Sequence, residues 1–467
     1  MISIIKKIPK ILLILILVSA ILWKFKPDGI SEIGWHLLII FISTIIIIIS
    51  ALMPLGALAI LSLAATVVTG TLSTSEALSG FNSDISWLIL LALFVSESIS
   101  KSGLGMRIAY YLIGKSRNSL ISLSYTLVIC ELILSPAIPS AVARGSGIIY
   151  PILTSLIEVL NKKEKKEDIN FYLIKVCFNS TVITSAITLT AMAANPLIIS
   201  IAGTFGINIS WNTWFIAAII PGLLNLILMP IILYYILKPN DIDISEVKEF
   251  AKNQLDSLKA FTKEEILITS TLIGLITLWI FGDYLEINAT ETILIGCSLL
   301  LITGIITWDE VIANKKAWEI FIWFSTLLML SEYLVKFGAI SWINEGIQYL
   351  IHGIDKTIMI PVALFLFFYL HYLFVSITAY VSILFAPFLI ILLNLGIPEK
   401  ISVMVLAIIA ILSGGLTHYT IGIAPSYYSI SGVKVQKWCK IGFFISTINV
   451  LIWLTVCAIW WKFINWY

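Results

Sequence analysis

Apolar runs of bilayer-crossing or nearly bilayer-crossing length follow one another along almost the whole chain, and no other feature limits its fold so severely. They lie near 11–23, 33–53, 55–72, 85–100, 119–134, 171–190, 211–237, 266–281, 289–306, 318–335, 356–374, 399–412 and 437–461. A helix needs ~20 apolar residues to cross the hydrocarbon core, and several runs are shorter or are interrupted by Pro and Gly. Only 12% of the residues are charged, about half the share that covers a water-facing surface. The expected fold class is therefore an all-α integral membrane protein. A net charge of +2 gives no electrostatic footprint for nucleic acid. The five cysteines (Cys130, Cys177, Cys297, Cys439 and Cys457) are scattered, with no C-x-x-C pair, and read as small packing residues rather than metal ligands.

Lys6, Lys7 and Lys10 precede the first apolar run, and no small-x-small cleavage site follows it. This reads as a first membrane helix with a basic cytoplasmic tail. Two charged linkers, 161–170 and 238–265, interrupt the apolar pattern, and Ser245–Lys259 in the second reads as a surface helix. The chain then divides into a half at 1–237, a cytoplasmic linker at 238–265 and a half at 266–467.

The halves repeat one another. Ser96-Glu97-x-x-x-Lys101-x-Gly103 recurs as Ser331-Glu332-x-x-x-Lys336-x-Gly338, an offset of 235, and Ser140-x-x-Ala143 recurs as Ser376-x-x-Ala379, an offset of 236. Leu189-Thr190 with Pro196 recurs as Leu416-Thr417 with Pro425, at offsets of 227 and 229. Glu, Lys and Pro are not filler in apolar spans, so the shared order carries weight. The copies differ in charge: Lys101, Arg107, Lys115 and Arg117 stand without an acid, whereas Lys336 and Lys356 are offset by Glu345 and Asp355. Basic flanks stay cytoplasmic, so the halves are expected to be inverted, with Lys162–Lys166 and Lys434–Lys440 also cytoplasmic. Inverted repeats are a transporter architecture.

Each half has one place where a helix should break at membrane depth. In the first, Pro136, Pro139, Gly145 and Gly147 predict a re-entrant hairpin at about 134–150. In the second, the repeat predicts one at about 371–387. A second broken segment follows each hairpin, Thr188–Pro196 and Ser413–Pro425. Two tips facing two broken helices would make a midplane site of helix N-termini, hydroxyls and an amide, which suits a carboxylate.

The motifs Pro136-Ala-Ile-Pro-Ser140-x-x-Ala-Arg144, Leu189-Thr190-Ala-Met-Ala-Ala-Asn195-Pro196, Ser376-x-Thr378-Ala379 and Gly415-Leu-Thr-His-Tyr419 resemble the divalent anion:sodium symporter family of di- and tricarboxylate permeases. They are most similar to its exchanger branch of citrate/succinate, tartrate/succinate and 2-oxoglutarate/malate antiporters. The resemblance implies about eleven transmembrane helices, two re-entrant hairpins, a homodimer and an elevator-type cycle in the inner membrane. It implies substrate contacts at Ser140, Arg144, Asn195, Pro196, Ser376, Thr378, Thr417, His418 and Pro425. Any sodium site would lie near Ser140, Ala194 and Ser376. The first tip departs from the family's Ser-Asn-Thr pattern, since Ala141 and Val142 replace its last two residues. Each lost hydrogen bond to a charged group is worth roughly 1.5–3 kcal/mol. Either the second half holds the anion, or the acid differs, or transport is impaired.

Arg144 has two readings: fixed positive charge where symporters use sodium, or a structural pair with Glu131. Glu97 with Lys101 and Glu332 with Lys336 read as i, i+4 helix-end pairs, and Trp460, Trp461 and Trp466 as an interfacial belt. His371 reads as lying at the outer end of its hairpin. The expected function is exchange of small organic anions with no cofactor, unless it is sodium. A sodium-coupled dicarboxylate or sulfate symporter is the alternative, and a membrane-embedded enzyme a remote one, since the chain lacks H-E-x-x-H, G-x-S-x-G and phosphate-loop motifs.

Overall fold

The computed structural model describes residues 10–50, 53–136, 138–162, 166–258, 260–351, 353 and 355–466. Lys6, Lys7, Ala137, residues 163–165 of the second basic run and His352 lie outside them. All elements among the described residues are helical. Helix α1 (Lys10–Leu22) precedes the first half: α2 (Glu32–Ile49), α3 (Leu55–Val68), α4 (Thr74–Ala77), α5 (Asp84–Ser102) and α6 (Leu104–Lys115). This half continues with α7 (Leu120–Leu134), α8 (Val142–Leu160), α9 (Glu167–Ile187), α10 (Ala194–Thr204) and α11 (Trp211–Leu237).

After the linker helix α12 (Ser245–Ser257) the same order begins again. It runs α13 (Lys263–Leu285), α14 (Ala289–Ile302), α15 (Trp308–Ala313), α16 (Lys315–Lys336) and α17 (Ala339–Ile351). It ends with α18 (Lys356–Leu370), α19 (Ile377–Asn394), α20 (Glu399–Leu412), α21 (Ala424–Ser429) and α22 (Val435–Phe463). Among the described residues eight helices are long and apolar enough to cross a membrane, and five shorter ones are apolar.

Local chemistry repeats with the order. Gly103 and Gly338 end α5 and α16 at φ +75° and +79°, a left-handed conformation that a side chain would strain. Ser73 and Thr307 open α4 and α15 with capping boxes closed by Glu76 and Glu310. These acids receive the lysines of the opposite half: Lys101 lies 3.1 Å from Glu310, and Lys336 lies 3.5 Å from Glu76. Reciprocal exchange of one contact is the mark of a two-fold relation. Half-exposed pairs of this kind add little stability; what they record is the symmetry. Lys101 also meets Glu97 at 2.9 Å, the expected helix-end pair, whereas among the described residues Lys336 is paired with Glu76 and not with Glu332.

The hairpins reach further than their expected bounds. Helices α7 and α8 form the first, with the break at 135–140, and α18 and α19 form the second, with a turn at His371–Leu373 and extended backbone at Phe374 and Ser376. Nothing in the flanking runs stops the helices sooner. An arm such as α7, at ~1.5 Å per residue, falls short of the ~30 Å hydrocarbon core. Helix α9 is the centre of the molecule, buried at every residue from Ile169 to Ile187. The surface helix expected in the linker is present but docked, with Val247 and Ala251 fully buried.

Trp460 and Trp461, expected in an interfacial belt, also bond back to the protein. Pro221 inside α11 has no N–H for the Ala217 carbonyl, and Trp461 Nε1 donates to that carbonyl at 3.0 Å while Trp460 Nε1 serves Ile216 at 2.7 Å. Deeper along the same seam Asn225 joins Asn449 and Trp453, each at 3.0 Å. Trp461→Phe should therefore strand a buried carbonyl and lower stability by ~1–3 kcal/mol. In detergent thermal unfolding its midpoint should fall clearly below that of Trp466→Phe.

Candidate functional site

Each hairpin tip is the N-terminus of a helix capped by a serine. Ser140 Oγ accepts from the Ala143 N–H at 3.2 Å and its carbonyl from Arg144 at 3.0 Å. Ser376 Oγ accepts from the Ala379 N–H at 3.5 Å and its carbonyl from Tyr380 at 3.0 Å. Among the described residues this leaves the N–H groups of Val142, Ile377 and Thr378 without a partner, together with both serine O–H protons. The first turns of a helix carry such free donors and a partial positive charge.

The carbonyls stranded by the same breaks are answered by side chains. At the first tip Thr190 Oγ1 donates to Pro136 at 3.1 Å, Arg144 Nη1 to Ile138 at 2.8 Å, and Tyr427 to Gly145 at 2.9 Å. At the second, Tyr419 donates to Tyr372 at 2.9 Å and Tyr380 to Phe367 at 2.5 Å. In the broken segments Asn195 Nδ2 serves Ser185 and Thr188, Arg144 serves Ala191, and Thr420 serves Gly414. These carbonyls are filled, while the tip donors remain open. That polarity suits an anion.

The two halves complete each other here as well. The first hairpin meets the second broken helix: Gly145 has no room for a Cβ, which would lie 3.0 Å from Ile423 and 3.2 Å from Thr181. Ser146 and Ser426 hydroxyls lie 3.4 Å apart. In return α19, the arm behind the second tip, packs along α10 of the first half. The π-helical turn Val142–Ile149, a form frequent at functional sites, sits where Tyr427 takes the Gly145 carbonyl.

Arg144 is fully buried and paired. Its Nε lies 2.5 Å from Glu131 Oε1, and Nη2 donates to Ser185 Oγ at 3.0 Å. With the two carbonyls above, four N–H groups are spent inside the protein, so this side chain knits tip, break, α7 and α9 together. Of the two readings of Arg144, the structure displays the pair with Glu131. In the second half, His371 Nδ1 meets Ser413 Oγ at 2.5 Å and stacks on Tyr380, with centroids 4.6 Å apart. Far from lying at an outer end, His371 is wholly buried behind the tip.

The other sequence-selected residues divide into two groups. Ser140 and Thr378 are half-buried and Ser376 is exposed, so all three are reachable at the tips. Asn195 is fully buried, its amide N–H groups spent and its Oδ1 without a partner among the described residues. Pro196 and Pro425 stand in the first turns of α10 and α21, where a missing N–H costs nothing. Thr417 is buried, accepting from the N–H groups of Tyr419 and Thr420, and so shapes the broken segment. His418 turns away toward Tyr428 and Cys439, whose Sγ is 3.9 Å from Nδ1. Sequence pattern misplaces His371 and passes over Tyr380 and Lys175. The match of Ser185 to Ser413 at an offset of 228, and the rule that charge inside a span is rarely idle, would have found them.

Comparison with known proteins agrees with this architecture. The family described as "Sodium:sulfate symporter transmembrane region" matches residues 5–467. Dicarboxylate transporter 1, chloroplastic, of Spinacia oleracea is 40% identical over 98% of this chain and 81% of its own length. YflS of Bacillus subtilis, named as a candidate malate transporter, is 38% identical over 98% of this chain and 97% of its own. Among solved structures, the YdaH transporter of Alcanivorax borkumensis aligns with a TM-score of 0.54 at 15% identity, over 84% of this chain and 88% of that one. MtrF of Neisseria gonorrhoeae gives 0.54 at 13% identity, over 83% of each. These two likenesses concern the fold alone.

The buried pair makes a sharp demand. Glu131→Gln leaves the Arg144 charge without its counterion and should cost ~3–5 kcal/mol, whereas Glu131→Leu with Arg144→Met removes both charges and should recover much of that loss. Thermal unfolding of the three purified proteins would check the order. Equal stability of Glu131→Gln and wild type would show that the guanidinium does not depend on its carboxylate.

Proposed function

Since this chain belongs to the sodium:sulfate symporter family, also called the divalent anion:sodium symporter family, we propose that it carries small dicarboxylates by exchange across the inner membrane. Relatives bearing the names of dicarboxylate transporters support the substrate class. The observation that carries the reading is the pair of serine-capped tips whose N–H and O–H donors stay open while neighbouring carbonyls are filled. A dicarboxylate with one carboxylate at each tip uses both halves at once.

The open donors also give an account of Ala141 and Val142. Their side chains cannot donate, but a backbone N–H is indifferent to the side chain beside it. The first tip thus holds a carboxylate through backbone and Ser140, and the side-chain contribution falls to Ser376 and Thr378. On this reading Arg144 is a positioning residue that keeps the tip and the first broken segment in register.

Beside Ser140 the Ile138 and Ala191 carbonyls accept from Arg144 Nη1, so a buried guanidinium lies close to where a sodium site is expected. This supports exchange over sodium symport. An elevator cycle is supported by a second hydrophobic cluster, built by Leu37, Leu63, Leu72, Met329 and Tyr333, apart from the main core around α9. That cluster would be part of a static frame, and the hairpins with α9, α11, α20 and α22 the moving body. The homodimer and a cytoplasmic N-terminus complete the proposal, the latter resting on the basic residues Arg107, Lys115 and Arg117.

Purified protein in liposomes tests the reading. Labelled malate or succinate should enter only vesicles loaded with a counter-anion, at a rate a sodium gradient does not change. Uptake into empty vesicles driven by sodium would overturn it. Ser140→Ala and Ser376→Ala should each weaken apparent affinity by about tenfold, the worth of one hydrogen bond to a charged group.

A further inference from the structure

Lys175 lies midway along α9 with none of its surface exposed, and among the described residues its Nζ has no hydrogen-bond partner. It rests on the face of Trp438, 3.9 Å from a ring centroid, with Phe178 at 5.3 Å. Three more buried polar atoms on the same seam lack partners among the described residues: Trp438 Nε1, Asn179 Oδ1 and Ser446 Oγ.

The seam leads to the second tip. Asn179, one turn on, donates Nδ2 to the Lys175 carbonyl at 2.8 Å. A Cβ placed on Gly415 would lie 3.7 Å from Asn179 Oδ1 and 2.4 Å from Ser446 Oγ, and one on Gly414 would lie 2.9 Å from Ile377. Only a glycine pair lets the broken segment pass between α9 and the tip. In the other direction Trp438, on which Lys175 rests, meets Tyr428, and Tyr428 meets His418, whose Nδ1 lies 3.9 Å from the Sγ of half-buried Cys439. His418 is itself half-buried, and Lys437 and Lys440 beyond it are exposed.

The other titratable groups on the elements around α9 offer Lys175 no counter-charge. Glu131 of α7 is bound to Arg144, Tyr427 of α21 to the Gly145 carbonyl, and Tyr172 of α9 to the Pro230 carbonyl. Among the described residues no ion pair or hydrogen bond joins Lys175 to Cys130, Cys177, Tyr234 or Tyr428. A buried ammonium without acceptor or counterion is not sustained; either the amine sheds its proton or an anion arrives nearby.

We infer that Lys175 is a proton-binding site linked to anion loading. A proton passes from bulk water by way of His418 to the Nζ lone pair as a carboxylate settles at the second tip, and it returns by the same route on unloading. The loaded carrier holds one proton more than the empty one. By reciprocity, anion affinity falls as pH rises, by up to about tenfold per pH unit for one linked proton. The inference deepens the carboxylate reading and rests on it.

The test is calorimetric titration of the full chain in detergent with malate, in two buffers of different ionisation enthalpy, above the range in which malate itself titrates. Wild type should take up about one proton per malate bound, and Lys175→Met should bind malate with none. Lys175→Arg, permanently charged, should also bind without uptake, which decides the matter where the methionine variant does not fold. Malate binding by wild type with no proton uptake, or uptake unchanged in Lys175→Met or Lys175→Arg, overturns this inference alone. Absence of malate binding by wild type overturns the carboxylate reading and this inference together.

Discussion

Breaking a helix inside a bilayer strands backbone N–H and C=O groups where no water can reach them, and each unanswered group costs several kcal/mol. This chain breaks its helices at four such places, and its side chains answer the breaks one-sidedly. Phenols from Tyr380, Tyr419 and Tyr427, hydroxyls from Thr190 and Thr420, the Asn195 amide and the Arg144 guanidinium all donate. No comparable set of acceptors meets the tip N–H groups among the described residues. The positive ends of the breaks are what the fold leaves open, and selectivity for an anion follows from that imbalance before any residue is assigned a role.

The reciprocal packing of the halves explains how so irregular a backbone stays in place. The first hairpin is braced by Ile423, Ser426 and Tyr427 of the second broken helix, while α19 lies along α10 of the first half. Most freed carbonyls are answered within their own half, but the Gly145 carbonyl of the first is answered by Tyr427 of the second. Glycine marks the tightest crossings: a Cβ at Gly442 would lie 2.3 Å from the Leu416 carbonyl, so α22 presses directly on the broken strand that Gly415 lets past.

Much of this was legible in the sequence and some was not, for definite reasons. Pro136, Pro139 and the repeated Ser, Glu, Lys and Gly positions act through local backbone preference, which one chain displays without a partner. Gly103 and Gly338, matched by the repeat, both prove to have a positive φ. The contacts of His371, Lys175 and Glu131 depend on which helix lies opposite, and apolar patterning does not encode that when a helix such as α9 is buried all round. The same holds for Trp460 and Trp461, whose position beside Lys462 suggests an interface, while the carbonyls freed near Pro221 draw them inward.

The two halves handle positive charge differently, and the difference bears on why a carrier of this form would exchange anions rather than import them. In the first half Arg144 is tied to Glu131, so that pair contributes little net charge and much rigidity. In the second half the corresponding place is held by Tyr380, stacked on His371, with no carboxylate bonded to either among the described residues. Lys175 adds a buried amine without a hydrogen-bond partner among the described residues. An empty site flanked by groups that gain a full charge only beside an anion is costly to move while charged and poorly organised while neutral. Loading by either of two anions relieves that cost equally. A carrier so built crosses readily when full, whichever anion fills it, and that condition is what obligatory exchange requires.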